Sequence, residues 1–170
     1  MTDNFNFTDE RFADIQMLRY RLDDFDNLTL NQKLYIYYLS EATLCGRDIT
    51  TDQFGRYNLR IRRTLEAVYV NYFGERDCDE FRALTVYLKR VWFSNGIHHH
   101  YGCEKFVPDF TEDYFRSVVL TTSTDIDSKV GVDQHFNLPL VADETVEALL
   151  DDICPVIFNQ KIMAKRVNQK

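Results

Sequence analysis

Apolar residues recur along this chain mostly at three- and four-residue spacing, the period of a helix that buries one face. The spacing predicts a first helix starting after Thr8, with Asp9 and Glu10 suiting its positive N-terminal end and Phe12, Ile15, Leu18, Leu22 and Phe25 on one face. Asp23, Asp24 and Asp26 then mark a polar turn. A second helix opens at Thr29, where Gln32 completes a capping box. Its expected buried face is Leu34, Tyr38, Ala42 and Cys45, and Gly46 is its stop. A third is expected over Thr51–Phe73, with Tyr57, Ile61, Leu65, Val68 and Tyr72 inward and Gly74 beyond its end.

The fourth helix is expected from Asp77, with Glu80 as the partner in a capping pattern. It buries Phe81, Leu84, Leu88, Val91 and Trp92 and breaks at Ser94-Asn95-Gly96. Lys105–Pro108 reads as short and extended, with a turn at Pro108-Asp109. Thr111 caps a fifth helix that turns Tyr114, Phe115, Val118 and Val119 inward. Thr121–Leu140 reads as a long loop holding one short strand near Gln134–Leu138. A sixth helix starts at Asp143, buries Val146, Leu149, Leu150 and Ile153, and stops at Pro155. Val156–Phe158 is expected extended, with Asn159 capping a last turn before MAKRVNQK. The prediction is a mainly α fold, an irregular multi-helix bundle of about six helices, with short extended segments near 103–108 and 134–158.

Composition narrows the function. The 170 residues suit one domain or part of a larger one, and residues 1–170 read as a single region. Ten Tyr and thirteen Phe supply large faces for a core or an interface. A net charge of -7 argues against nucleic acid as a partner, because that binding relies on a basic surface. No run approaches the roughly 18 apolar residues of a spanning helix, so no membrane partner is expected. The N-terminus has no apolar signal core, and Cys45, Cys78, Cys103 and Cys154 form no C-x-x-C pair. The expected location is cytoplasmic, with free thiols. A parent protein with a lipidated or signal-bearing N-terminus would instead be exported.

The densest chemistry is His98-His99-His100-Tyr101-Gly102-Cys103, directly after the fourth helix. Loops held by a rigid element often carry function. Adjacent imidazoles point in different directions, so at most two could share a metal, and His135 is distant in sequence. Two other readings stand for the loop: imidazoles bonded to backbone or carboxylate groups, or a loop that meets a polar ligand. Cys103 lies near His100, but no third group orients them as a nucleophile pair. The carboxylate pairs Asp23/Asp24 and Asp151/Asp152 fall at helix ends, where solvated acids are ordinary. Arg56, Arg60 and Arg63 line one face of the third helix, for phosphate or, given the acid excess, for ion pairs. Gly55, Gly74, Gly96 and Gly102 stand singly, and no phosphate-binding loop motif occurs.

Five stretches carry a resemblance: RFADIQMLRYRL, LYIYYLSEATLCGRDI, YNLRIRRTLEAVY, VYLKRVWFSNGIHHHYGCEKFVPDF and PVIFNQKIMAKRVNQ. Together they resemble the dipeptidyl-peptidase III family, its bacterial members in particular, from about Arg11 to Gln169. Val86–Phe110 is the most specific part. The family consists of two-lobed zinc exopeptidases that release dipeptides from peptide N-termini. Its H-E-x-x-G-H motif and its downstream glutamate ligand are not in these residues. The resemblance therefore implies the N-terminal part of the non-zinc lobe, inactive alone, with no metal ligand or catalytic residue of its own. Zinc would belong to the parent enzyme, and the implied partners are short peptides and the remaining lobe. It also implies that Tyr101 and Gly102, and after them His99 and His100, contact substrate. The alternative is a non-catalytic helical interaction module descended from that lobe, whose Tyr and Phe content serves a partner surface. An acidic helical protein that binds a basic partner is a third reading, with no motif behind it.

Overall fold

The computed structural model describes residues 5–128 and 130–166. It divides into two compact units, the first ending at Asp48 and the second beginning at Ile49. Among the described residues there are six α-helices and one two-stranded sheet, so the fold is mainly α.

The first unit opens with an antiparallel hairpin where a helix was expected. Strand β1 (Thr8–Phe12) pairs with β2 (Ile15–Leu18), with Arg11 opposite Gln16 and Phe12 opposite Ile15. Phe12 and Ile15 are the apolar pair this hairpin buries. A three-residue separation puts two side chains on one helix face, but a two-residue turn puts them face to face across a ladder. Ala13 takes a positive φ of 48° in that turn. Leu18 and Leu22 are exposed, and Phe25 lies in a short 3-10 turn over Asp23–Asn27.

Helix α1 (Leu30–Cys45) has the expected capping box: the Gln32 amide donates to Thr29 Oγ1 at 3.4 Å, and Gln32 Oε1 accepts from the Thr29 amide at 2.9 Å. Its expected buried face is not there. No α1 residue is buried, and Leu34, Tyr38, Ala42 and Cys45 are all exposed. Leu30, Tyr35, Ile36 and Leu39 are exposed as well. Their positions run round the whole circumference, so no single face could cover them.

The expected third helix is two. Helix α2 (Arg47–Gln53) gives way at Phe54–Tyr57, and α3 (Asn58–Asn71) follows. Helix α4 (Asp79–Ser94) starts two residues later than expected, because Cys78 is its cap and its Sγ accepts from the Phe81 amide. Glu80 serves the next helix instead. Its Oε1 accepts from the Thr111 amide and hydroxyl, while Thr111 Oγ1 caps α5 (Glu112–Ser128) by accepting from the Tyr114 amide.

Helix α5 runs well into the expected loop. Thr122 continues the buried face of Phe115, Val118 and Val119. The hydroxyls of Thr121, Thr122 and Thr124 donate to carbonyls four residues back, so these polar groups find partners within the helix. The Gln134–Leu138 strand is likewise replaced by a 3-10 turn at Gln134–Phe136. Asn71 pins that turn, donating to the Asp133 and Phe136 carbonyls and accepting from the Asp133 amide.

Helix α6 (Val146–Phe158) starts at a Thr145 cap and continues three residues past Pro155. Val156 and Ile157 are buried, and their packing offsets the hydrogen bond that proline cannot donate. The 146–158 stretch is thus helical, and extended backbone near 103–108 is confined to the bridges made by Glu104 and Lys105. Asn159 does cap a turn, its Oδ1 accepting from the Lys161 amide. The end of MAKRVNQK, residues 167–170, lies outside the described residues.

The core lies among α3, α4, α5 and α6, with Ile61, Leu65, Leu84, Leu88, Phe115 and Ile153 fully enclosed. Each such side chain contributes about 1.5–3 kcal/mol on leaving water. Cys154 is also buried there, and burial pushes its thiol up to about 12. Ion pairs tie the rim. Arg60 bridges Glu144 and Asp152, and Arg116 bridges Glu112 and Asp151. The arginine row is therefore spent at least partly on carboxylates, while the Arg56 guanidinium lies over the Tyr57 ring.

Candidate functional site

The three histidines sit in a short hairpin launched from the end of α4. Asn95 takes the left-handed conformation there, with φ 54° and ψ 36°. The Gly96 amide donates to Val91 O and the Asn95 amide to Trp92 O, a Schellman ending. Gly96 is required twice over: its φ is 153°, and an added Cβ would run into the Asn58 side chain. Asn58 Oδ1 in turn accepts from the Ile97 amide at 3.2 Å. The chain then folds back. The Phe106 amide donates to Ile97 O, His98 pairs with Lys105 in an antiparallel bridge, and the His99 amide donates to Glu104 O.

Each imidazole has a different surrounding. His98 is 2% exposed. Its Nε2 lies 2.7 Å from the Met163 carbonyl, which can only accept, so Nε2 carries the proton. Burial holds its pKa below the ordinary imidazole value; the Met163 hydrogen bond opposes this, and the cations Lys105 and Arg166 reinforce it. His99 caps the turn itself: its Nδ1 accepts from the Tyr101 and Gly102 amides, both at 3.1 Å. His100 is half-buried, its ring edge-on to Phe93 at 4.8 Å.

Residues 159–166 close the back of the hairpin. The Lys105 amide donates to Ala164 O and the Arg166 amide to Cys103 O. Lys105 carries the main connection. Its side chain is buried, and Nζ donates to Val156 O at 2.8 Å, Asn159 O at 2.5 Å and Ile162 O at 2.7 Å. All three ammonium protons are used, on carbonyls at and beyond the negative end of α6. Burial alone lowers the Lys105 pKa, and the three acceptors oppose that by favouring the charged form.

Beside the hairpin is an open pocket of about 340 Å³. Arg90, His99, Glu104, Lys105, Phe106, Val107 and Asp109 line it. The Arg90 guanidinium lies over the Phe106 ring, 4.2 Å from its centroid. One wall is thus a cation on an aromatic face, and Glu104 and Asp109 add exposed carboxylates. No family model matches this chain, and no curated protein matches it.

The sequence-predicted contact residues take separate places. His99 lines the pocket, and Tyr101 stands at the tip of the hairpin, 86% exposed. Gly102 is exposed beside it and gives its amide to His99, while His100 packs on Phe93. Among the described residues, no group of three or more His, Cys, Asp or Glu side chains is placed to hold a metal. Sequence reasoning missed Lys105 and Arg90. The available signal was a lysine between the aromatic Phe106 and the histidine run, a position too apolar for an idle ammonium.

Proposed function

We propose that this chain forms part of the cleft wall in the non-zinc lobe of a zinc-dependent exopeptidase resembling dipeptidyl-peptidase III. In this reading the histidine hairpin meets the peptide, and the metal and its general base come from the other parts of that enzyme. The observation that carries the reading is the pocket beside the hairpin, where Arg90 over Phe106 stands near Glu104 and Asp109. An extended peptide offers amides and charged ends to such a wall, and Tyr101 offers an exposed ring at the tip of the same hairpin. Helix α1 adds support: it leaves Leu30, Tyr35, Ile36 and Leu39 exposed, and in this reading the remaining lobe covers that apolar surface. Titrating short peptides into the labelled chain tests it. Amide shifts at His99, Gly102 and Phe106 are expected, and no shift at about millimolar peptide, an affinity of only about 4 kcal/mol, sinks the reading.

The same exposed α1 favours a second reading, a non-catalytic module that meets another protein through that helix. Light scattering separates the two. A module forms a monodisperse species of defined size, whereas a wall without its enzyme self-associates without limit.

A further inference from the structure

The hairpin and the 159–166 segment are joined at one point by a titratable group that no cleft-wall role requires. His98 is enclosed, and its Nε2 proton is committed to the Met163 carbonyl. Its Nδ1 is buried and, among the described residues, has no hydrogen-bond partner. Among the described residues, the charged groups that bear on the ring are Lys105 from the returning hairpin arm and Arg166 from the segment behind it, both cations. Lys105 is fixed by the carbonyls of Val156, Asn159 and Ile162, and the Arg166 guanidinium by Cys103 Sγ at 3.7 Å and the Phe54 ring, 4.6 Å from its centroid. Neither cation is therefore free to move away while the segment stays docked. The Glu104–Lys165 ion pair at 3.6 Å is largely exposed and contributes little.

We propose that His98 is an acid-release latch, whose protonation undocks residues 159–166 and frees the histidine hairpin. A proton on Nδ1 creates a second donor with no acceptor and a third cation beside two others. The undocked form accepts that proton at the ordinary imidazole value of 6.5. The docked form is favoured above that value and loses its advantage as pH falls below it, because the open form binds more protons. The device stands whether or not the hairpin meets a peptide.

Amide hydrogen exchange on the full chain tests it, with intrinsic rates corrected for pH. Between about pH 7.5 and about pH 5, protection of the Lys105 and Arg166 amides should fall by up to about thirtyfold, the limit set by the ordinary imidazole value. Core amides such as Leu88 should keep their protection. His98→Gln keeps a donor for Met163 and cannot titrate, so its latch amides should hold constant protection over that range. Undiminished protection in the parent chain, or the same loss in both proteins, overturns the proposal. If His98→Gln fails to fold, the imidazole titration of the parent chain decides. A midpoint below 6.5 that tracks the loss of protection supports the latch, and any other result rejects it.

Discussion

Replacing Lys105 with Met keeps the length of the side chain and deletes its charge. Three carbonyls then lose their donor. Val156 O lies in buried surroundings, where an unmade hydrogen bond costs about 1–3 kcal/mol. Asn159 and Ile162 are exposed residues, so water recovers part of the loss at their carbonyls. Burying the ammonium was itself unfavourable, as the lowered pKa expresses, and deleting it returns some of that cost. The net expectation is a loss of about 3 kcal/mol, or roughly 6–12 °C in Tm. Urea unfolding followed by far-UV circular dichroism measures it. Lys161→Met, at an exposed site, is the control and should stay within about 0.5 kcal/mol of the parent. A Lys105→Met variant as stable as the control would refute the argument that the ammonium fastens the hairpin to α6.

Gly96→Ala should cost about 1–3 kcal/mol in the same assay, because it forces a Cβ into a positive-φ position against Asn58. The Val141 amide and then Arg60 hold the Glu144 carboxyl below its ordinary 4.5. Its contribution is therefore full above that value and is lost as pH falls through the lowered one. Glu144→Gln should be less stable than the parent near neutrality, with the gap closing in acid; a gap independent of pH would contradict this. Tyr101→Ala, at the exposed hairpin tip, should leave stability within about 0.5 kcal/mol and raise KM for dipeptide release in a complete peptidase carrying this lobe. Unchanged KM and kcat would remove Tyr101 from the site.

Where one face of a helix meets the core, its pattern was readable. Ile61, Leu65 and Val68 in α3, Leu84, Leu88 and Val91 in α4, and Leu149, Leu150 and Ile153 in α6 were all found by spacing and are all buried. The Thr29 box and the Thr111 cap were readable too, because capping depends on neighbours in sequence. The β1–β2 hairpin was not, since Ala13-Asp14 lacks the Gly or Asn that usually marks a two-residue turn. The end of α5 was hidden by threonines that bond back to their own helix. Residues of the hairpin could be singled out by type, but their tasks depend on 159–166, some 60 positions away. Neither the closed ammonium of Lys105 nor the cation over Phe106 has a local pattern.

The thiols differ in reach. Cys45 is exposed, Cys78 and Cys103 are intermediate, and Cys154 is buried with its thiol pushed up to about 12. Alkylation requires both access and a thiolate. A maleimide added to the native chain therefore modifies Cys45 promptly and reaches Cys154 only in molecules whose α6 has lifted from the core. With the other three cysteines changed to serine, the slow labelling of Cys154 becomes a clock for that rare opening, read by mass alone and set by the fold rather than by an added probe.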